Sequence, residues 1–200
     1  AGIRRKGDLT AVILTHRHSD HAGNAAWLRK RFDAPIVSHV EDAPFLMGEA
    51  VAPPMASKEV NLYHRALCHL EDRFPARTQV DEVLEQNEQR WGFRVFHTPG
   101  HTEGSMLLHH ETTHTLFSGD SIIGGPPAQR VLERLRLSFD EYSEDVERAR
   151  ANVREFVGDL PPVETLCSGH GPAVSHKVEQ KLRQLLHQDQ LSLTLNRRPR

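Results

Sequence analysis

At 200 residues, with 38% hydrophobic and 26% charged side chains, the chain is long enough to bury a substantial core and has an ordinary globular composition. Lys and Arg number 25 against 27 Asp and Glu, a formal charge of −2, so no broad basic field exists to gather nucleic acid, and Arg197-Arg198-Pro199-Arg200 reads as a solvated tail. No apolar run approaches the roughly 18 residues that would cross a membrane, and no signal-peptide pattern follows Ala1.

In chain order, residues 10–15 form a short apolar, β-branched run that ends abruptly in polar residues, the pattern of a buried strand. Gly23 to Phe32 reads as a short helix, and Ile36 to Val40 as a second strand, which together make a βαβ step. Across 42–74, Asp42 is placed to cap a turn of helix and Pro53-Pro54 to break it. Leu62, Ala66, Leu67, Leu70 and Phe74 then recur at helical spacing. Gln79 to Leu84, Arg90 to His97, Ser105 to His109 and Thr115 to Ser118 read as four strands. Phe139, Tyr142, Val146, Ala149, Val153 and Phe156 step by three and four, predicting an amphipathic helix that Gly158 and Pro161-Pro162 end. Val163 to Cys167 is a further strand, and Ser175 is placed to cap a last helix carrying Val178, Leu182, Leu185 and Leu186. The class is α/β, read as one domain over 1–200, with a helical insertion at 43–78 and a C-terminal helix and tail at 173–200.

Histidine is in excess, 14 of 200 residues, about three times ordinary usage. His109, His110 and His114 in a polar hairpin-like stretch, with His176 and His187 near the C-terminus, look incidental. The strand at 10–15, by contrast, leads directly into His16-Arg17-His18-Ser19-Asp20-His21. Residues two apart in an extended segment point to one side, so His16 and His18 can grip one ion, while Asp20 and His21, as the chain turns, can face a second. Imidazole and carboxylate are suitable zinc ligands, and neither Cys68 nor Cys167 is needed. Two cysteines make no disulfide framework and suit a reducing compartment, the cytoplasm.

Four side chains cannot complete two coordination spheres. His101, Asp120 and His170 supply the remainder, each at the end of a predicted strand and beside glycine, which permits tight turns and close backbone approach. At this point His16-x-His18-x-Asp20-His21, Gly100-His101-Thr102, Gly119-Asp120-Ser121 and Gly169-His170-Gly171 resemble the metallo-β-lactamase superfamily, its glyoxalase II-like metallohydrolases above all. The resemblance runs from about Leu9 to Pro172 and is poor across 43–78. It implies an αββα sandwich with the site at one edge of the two sheets. It also implies that His16, His18 and His101 hold one zinc, that Asp20, His21 and His170 hold the other, and that Asp120 bridges them. Relatives usually place several strands before the His-rich motif, so the chain is expected to be N-terminally truncated, with a first sheet that lacks members and presents an open edge.

The function this implies is hydrolysis of a small thioester, ester or lactone by a zinc-bridging hydroxide, with Asp20 orienting the water and passing on its proton. The expected partner is a small-molecule substrate, with neither nucleic acid nor membrane. A β-lactam is less favoured, because no residue is assignable to its carboxylate. Two rivals use the same residues. One is a persulfide dioxygenase with a single Fe2+ on two His and one Asp, such as His18, His101 and Asp120. The other is a non-catalytic relative in which metal only stabilises the fold. Thr15 and Ser19 read mainly as capping or surface hydroxyls, Tyr142 as a core or half-buried residue, and Cys167 as a buried strand residue.

Overall fold

A computed structural model describes residues 2–55, 61–124 and 135–196, with side chains described as far as 187. The basic tail at 197–200 therefore lies outside the described residues. In chain order the elements are β1 (Val12–Ile13), α1 (Ser19–Ala22), α2 (Ala25–Phe32), β2 (Ile36–His39), α3 (Ala43–Met47), α4 (Leu62–Arg73) and β3 (Glu82–Leu84). There follow β4 (Gln89–Arg90), β5 (Phe93–His97), β6 (Met106–His110), β7 (Thr115–Gly119), β8 (Ile122–Gly124) and β9 (Leu135–Leu137). A 3-10 turn (Asp140–Tyr142), α5 (Val146–Gly158), β10 (Thr165–Ser168) and α6 (Val178–Asn196) complete the chain. No helix among the described residues is long and apolar enough to cross a membrane.

The first sheet has the order β1-β2-β3, all parallel, with β1 at an edge. The second has the order β10-β7-β6-β5-β4, antiparallel except for the β10–β7 pair. Side-chain alternation along the strands makes these sheets the middle of four layers. In β2, Ile36 packs with Leu14, Ala22, Ala25 and Leu46 on the helical side, while Val37 faces the other sheet. In β6, Met106 and Leu108 meet Val37 and Leu84 between the sheets, whereas Leu107 turns to Val153, Phe156 and Leu182 of α5 and α6. The result is the αββα sandwich that the resemblance implied.

Several local expectations need correction. Arg90 to His97 is a hairpin, not one strand: Trp91 and Gly92 both take positive φ, 49° and 82°, as a tight two-residue turn between β4 and β5 requires. β8 and β9 pair antiparallel, a ladder absent from the strands expected above. The helix expected from Phe139 starts later, at Val146, where Asp145 accepts a hydrogen bond from the Arg148 N–H; Phe139 and Tyr142 lie in and beside the preceding turn. Asp42 precedes α3 but its side chain does not cap it. Cys167 is in its strand, but only half-buried.

Candidate metal centre

His16 and His18 follow β1 after Leu14 and Thr15, and Asp20 and His21 lie in the single turn of α1. His101 lies in the loop after β5, Asp120 directly follows β7, and His170 follows β10. All seven thus leave the C-terminal ends of strands. One tie between the two sheets here is the Met106 N–H, opening β6, which donates to the carbonyl of Thr15, two residues past β1 (3.0 Å).

The seven side chains form two adjacent groups. His16, His18 and His101 are buried and point ring nitrogens to within 4.8 Å of one another; Asp20, His21, Asp120 and His170 do the same with one donor atom each. Asp120 faces both groups. Its Oδ2 lies 3.8 Å from His101 Nε2 and 3.3 Å from His170 Nε2, and its Oδ1 lies 3.2 Å from His21 Nε2. Asp20 Oδ2 is 3.1 Å from His170 Nε2 and 3.4 Å from His21 Nε2.

Orphaned buried atoms show that a cation fits here. His16 Nε2 and His101 Nε2 are buried without a hydrogen-bond partner, a condition that costs about 1–3 kcal/mol for each polar group. The other nitrogen of each ring is engaged: His16 Nδ1 with Thr15 Oγ1 (3.2 Å) and His101 Nδ1 with Ser143 Oγ (3.1 Å). The Ser143 hydroxyl already donates to the Phe139 carbonyl (2.7 Å), so its oxygen accepts from His101 Nδ1–H. That fixes the tautomer and leaves a lone pair on His101 Nε2 for an ion. Burial supports the same state, holding His101 down to about 4 and His16 well below the ordinary imidazole value. At His21 burial opposes the charge, but the carboxylates of Asp120 and Asp20 outweigh it and push the ring up to about 9. The His21 hydrogen bond in turn draws Asp20 down to about 2. A proton on His21 thus does part of what a cation would do between these carboxylates.

Glycine is required at the contact itself. A Cβ on Gly169 would lie 2.3 Å from Asp120 Oδ1 and 2.4 Å from His21 Cε1. Only a bare backbone lets the loop before His170 close on the second group.

Sequence reasoning missed the residues that hold the loops. Asp42 is completely buried. Its Oδ2 accepts from the Arg17 N–H (2.8 Å) and the Thr102 hydroxyl (2.8 Å), and its Oδ1 from the Gly104 N–H (2.9 Å). It therefore ties the backbone between His16 and His18 to the loop that carries His101. The Arg17 guanidinium pairs with Glu144, whose backbone N–H donates to the His101 carbonyl (3.2 Å). Glu71 of α4 accepts from the Ser19 backbone N–H (3.1 Å) and also bonds the Ser19 hydroxyl, pinning that helix beside the site. No short-range signal marks these partners. Thr15 has the supporting role that the sequence left as the lesser reading.

The metallo-beta-lactamase superfamily model matches residues 4–170. The probable metallo-hydrolase YybB of Bacillus subtilis is 27% identical over 178 residues, covering 86% of this chain and 69% of its own. A hydroxyacylglutathione hydrolase of Bdellovibrio bacteriovorus is 29% identical over 123 residues, covering 60% of this chain, which spans only 37% of that protein's length. Among solved structures, TTHA1623 in a di-iron-bound form superposes with a TM-score of 0.60 at 26% identity, over 86% of this chain and 75% of that one. With the motifs converging at one edge of an αββα sandwich and the family match running through all of them, the chain belongs to the metallo-beta-lactamase superfamily.

Proposed function

We propose that the chain is a dinuclear zinc hydrolase that cleaves a small thioester, ester or lactone. In this reading His16, His18 and His101 hold one ion, Asp20, His21 and His170 the other, and Asp120 is shared. The observation that carries it is the pair of donor groups meeting at Asp120, with orphaned imidazole nitrogens aimed inward. When bound, such a pair of ions lowers the pKa of water towards neutrality and polarises a substrate carbonyl. The protein's own part is to orient and exclude. Asp20 lines the cavity over the donor cluster, where its carboxylate can orient the attacking water and accept its proton. Asp20 is itself half exposed, so that proton can pass on to solvent.

Relatives described as probable metallo-hydrolases and hydroxyacylglutathione hydrolases support the reaction class. Imidazole and carboxylate suit both zinc and iron, and the di-iron form of TTHA1623 makes metal identity the point to measure. A one-iron persulfide dioxygenase on His18, His101 and Asp120 would leave Asp20, His21 and His170 without a task; their clustering favours two ions. The test is elemental analysis of freshly purified protein, followed by a panel of thioesters, esters and lactones. Turnover that Asp120→Ala abolishes supports the proposal. Unchanged turnover in that variant, or one iron with no zinc, overturns it.

A further inference from the structure

An ordinary surface helix buries its apolar stripe and exposes its polar side. Helix α4 is docked the other way round. Its anchoring contacts come from His64, which bonds the Tyr142 hydroxyl (2.6 Å), from Cys68, whose thiol faces the Glu141 carbonyl (3.6 Å), and from Glu71 on Ser19. Tyr63, Leu67, Leu70 and Phe74, spaced four, three and four apart, share the neighbouring face and remain exposed, Leu70 at 52% and Phe74 at 65%. Three of them, Leu67, Leu70 and Phe74, line a cavity of about 490 Å³ whose wall is completed by Met55 and Phe139 and whose floor includes Asp20, Asp120 and His170.

The charges of this cavity narrow what can fill it. No Lys or Arg is among its described lining residues. Beyond the donor cluster its one carboxylate, Glu71, is already engaged by Ser19. A substrate tail bearing a carboxylate would find no cation among the described residues of the wall and would strip water from apolar surface without compensation. An uncharged hydrocarbon chain would cover Leu67, Leu70 and Phe74 while its carbonyl lay over the donor cluster.

We infer that α4 is the acyl-chain wall of the active site, and that the substrate is an ester or thioester of an uncharged, apolar acyl group; the ester part of this rests on the hydrolase reading above. The wall itself is tested without turnover. Binding of 2-butanone, 2-hexanone, 2-octanone and 2-decanone to the metal-loaded protein is measured by titration calorimetry, alongside 7-oxooctanoate as the charged counterpart of 2-octanone. Kd falls about fourfold per added methylene in the early members, and 7-oxooctanoate binds at least about tenfold more weakly than 2-octanone. In Leu70→Ser/Phe74→Ser the series flattens; both positions are exposed, and an unchanged circular dichroism spectrum and Tm verify the fold. A flat series in the wild type, or tighter binding of 7-oxooctanoate, overturns the inference.

Hydrolysis of 4-nitrophenyl acetate, butyrate, hexanoate and octanoate separates the two readings. Graded ketone binding with no turnover of these esters or of the thioester and lactone panel upholds the wall and removes the hydrolase. Ester turnover with a flat ketone series does the reverse. A wild-type dimer that the double variant converts to monomer, with no ketone bound, assigns the stripe to a second copy of this chain and also overturns the inference.

Discussion

Replacing Asp42 tests whether the three-histidine group is held from outside. Its carboxylate is the shared acceptor for the Arg17 N–H, the Thr102 hydroxyl and the Gly104 N–H, in a wholly buried place. Thr102 keeps Ser105 Oγ as a partner (2.9 Å), so Asp42→Ala strands chiefly two backbone donors. At about 1–3 kcal/mol for each, the loss comes to about 2–6 kcal/mol, and the nearby Arg17 guanidinium, left facing one carboxylate fewer, puts it in the upper part of that range. Asp42→Asn keeps the shape. Its amide oxygen can serve Arg17 and Thr102, but its nitrogen then opposes the Gly104 N–H, at a cost of about 1–3 kcal/mol. Urea unfolding reads these losses. Competition with a fluorescent chelator reads the consequence for the site, a fall in zinc affinity of about 10–100-fold in the Asn variant. A correctly folded Asp42→Asn protein that binds zinc as tightly as the wild type would refute the reasoning.

Three further outcomes are expected. Gly169→Ala drives a Cβ into Asp120 and His21, so the protein should hold one ion fewer per chain at equal zinc; full stoichiometry would mean that the loop simply yields. Ser143→Ala removes the acceptor of His101 Nδ1–H and should weaken zinc by about 10–100-fold, a change visible in the same competition assay and absent if Ser143 serves only the turn. Asp81 accepts from the guanidinium of Arg29 in α2 and from the Ile36 N–H that opens β2, and these hydrogen bonds hold its pKa below the ordinary 3.8. A depressed carboxylate stabilises the fold above its unfolded pKa and loses that contribution as pH falls through the native one. Asp81→Asn should therefore lower Tm near neutral pH but lose its effect below about pH 3; an equal Tm deficit at both would contradict the assignment.

Residues that act on their sequence neighbours were legible. His16 to His21 declare themselves at a strand end, and His101, Asp120 and His170 are marked by the glycines beside them. Strand alternation in Ile36-Val37 and Met106-Leu107-Leu108 carries the layering. Asp42 was hidden because its partners lie 25, 60 and 62 residues away, and a lone acid after a strand resembles a helix cap. Trp91 concealed a hairpin because a bulky residue with positive φ is uncommon. The spacing of Leu67, Leu70 and Phe74 was read correctly as a helix face, but periodicity identifies a face and not what it meets. Here it meets the cavity above the donor cluster rather than the core.

If the proposed function is right, two ions sit where Asp120 faces both donor groups. Metal content by mass spectrometry, on protein stripped by chelator and reloaded with zinc, tests it directly alongside ester turnover. Two zinc ions per chain are expected, with turnover that returns with the metal and loss of both stoichiometry and activity in Asp120→Ala. A single iron retained in place of zinc, or two zinc ions still bound by Asp120→Ala, would contradict it.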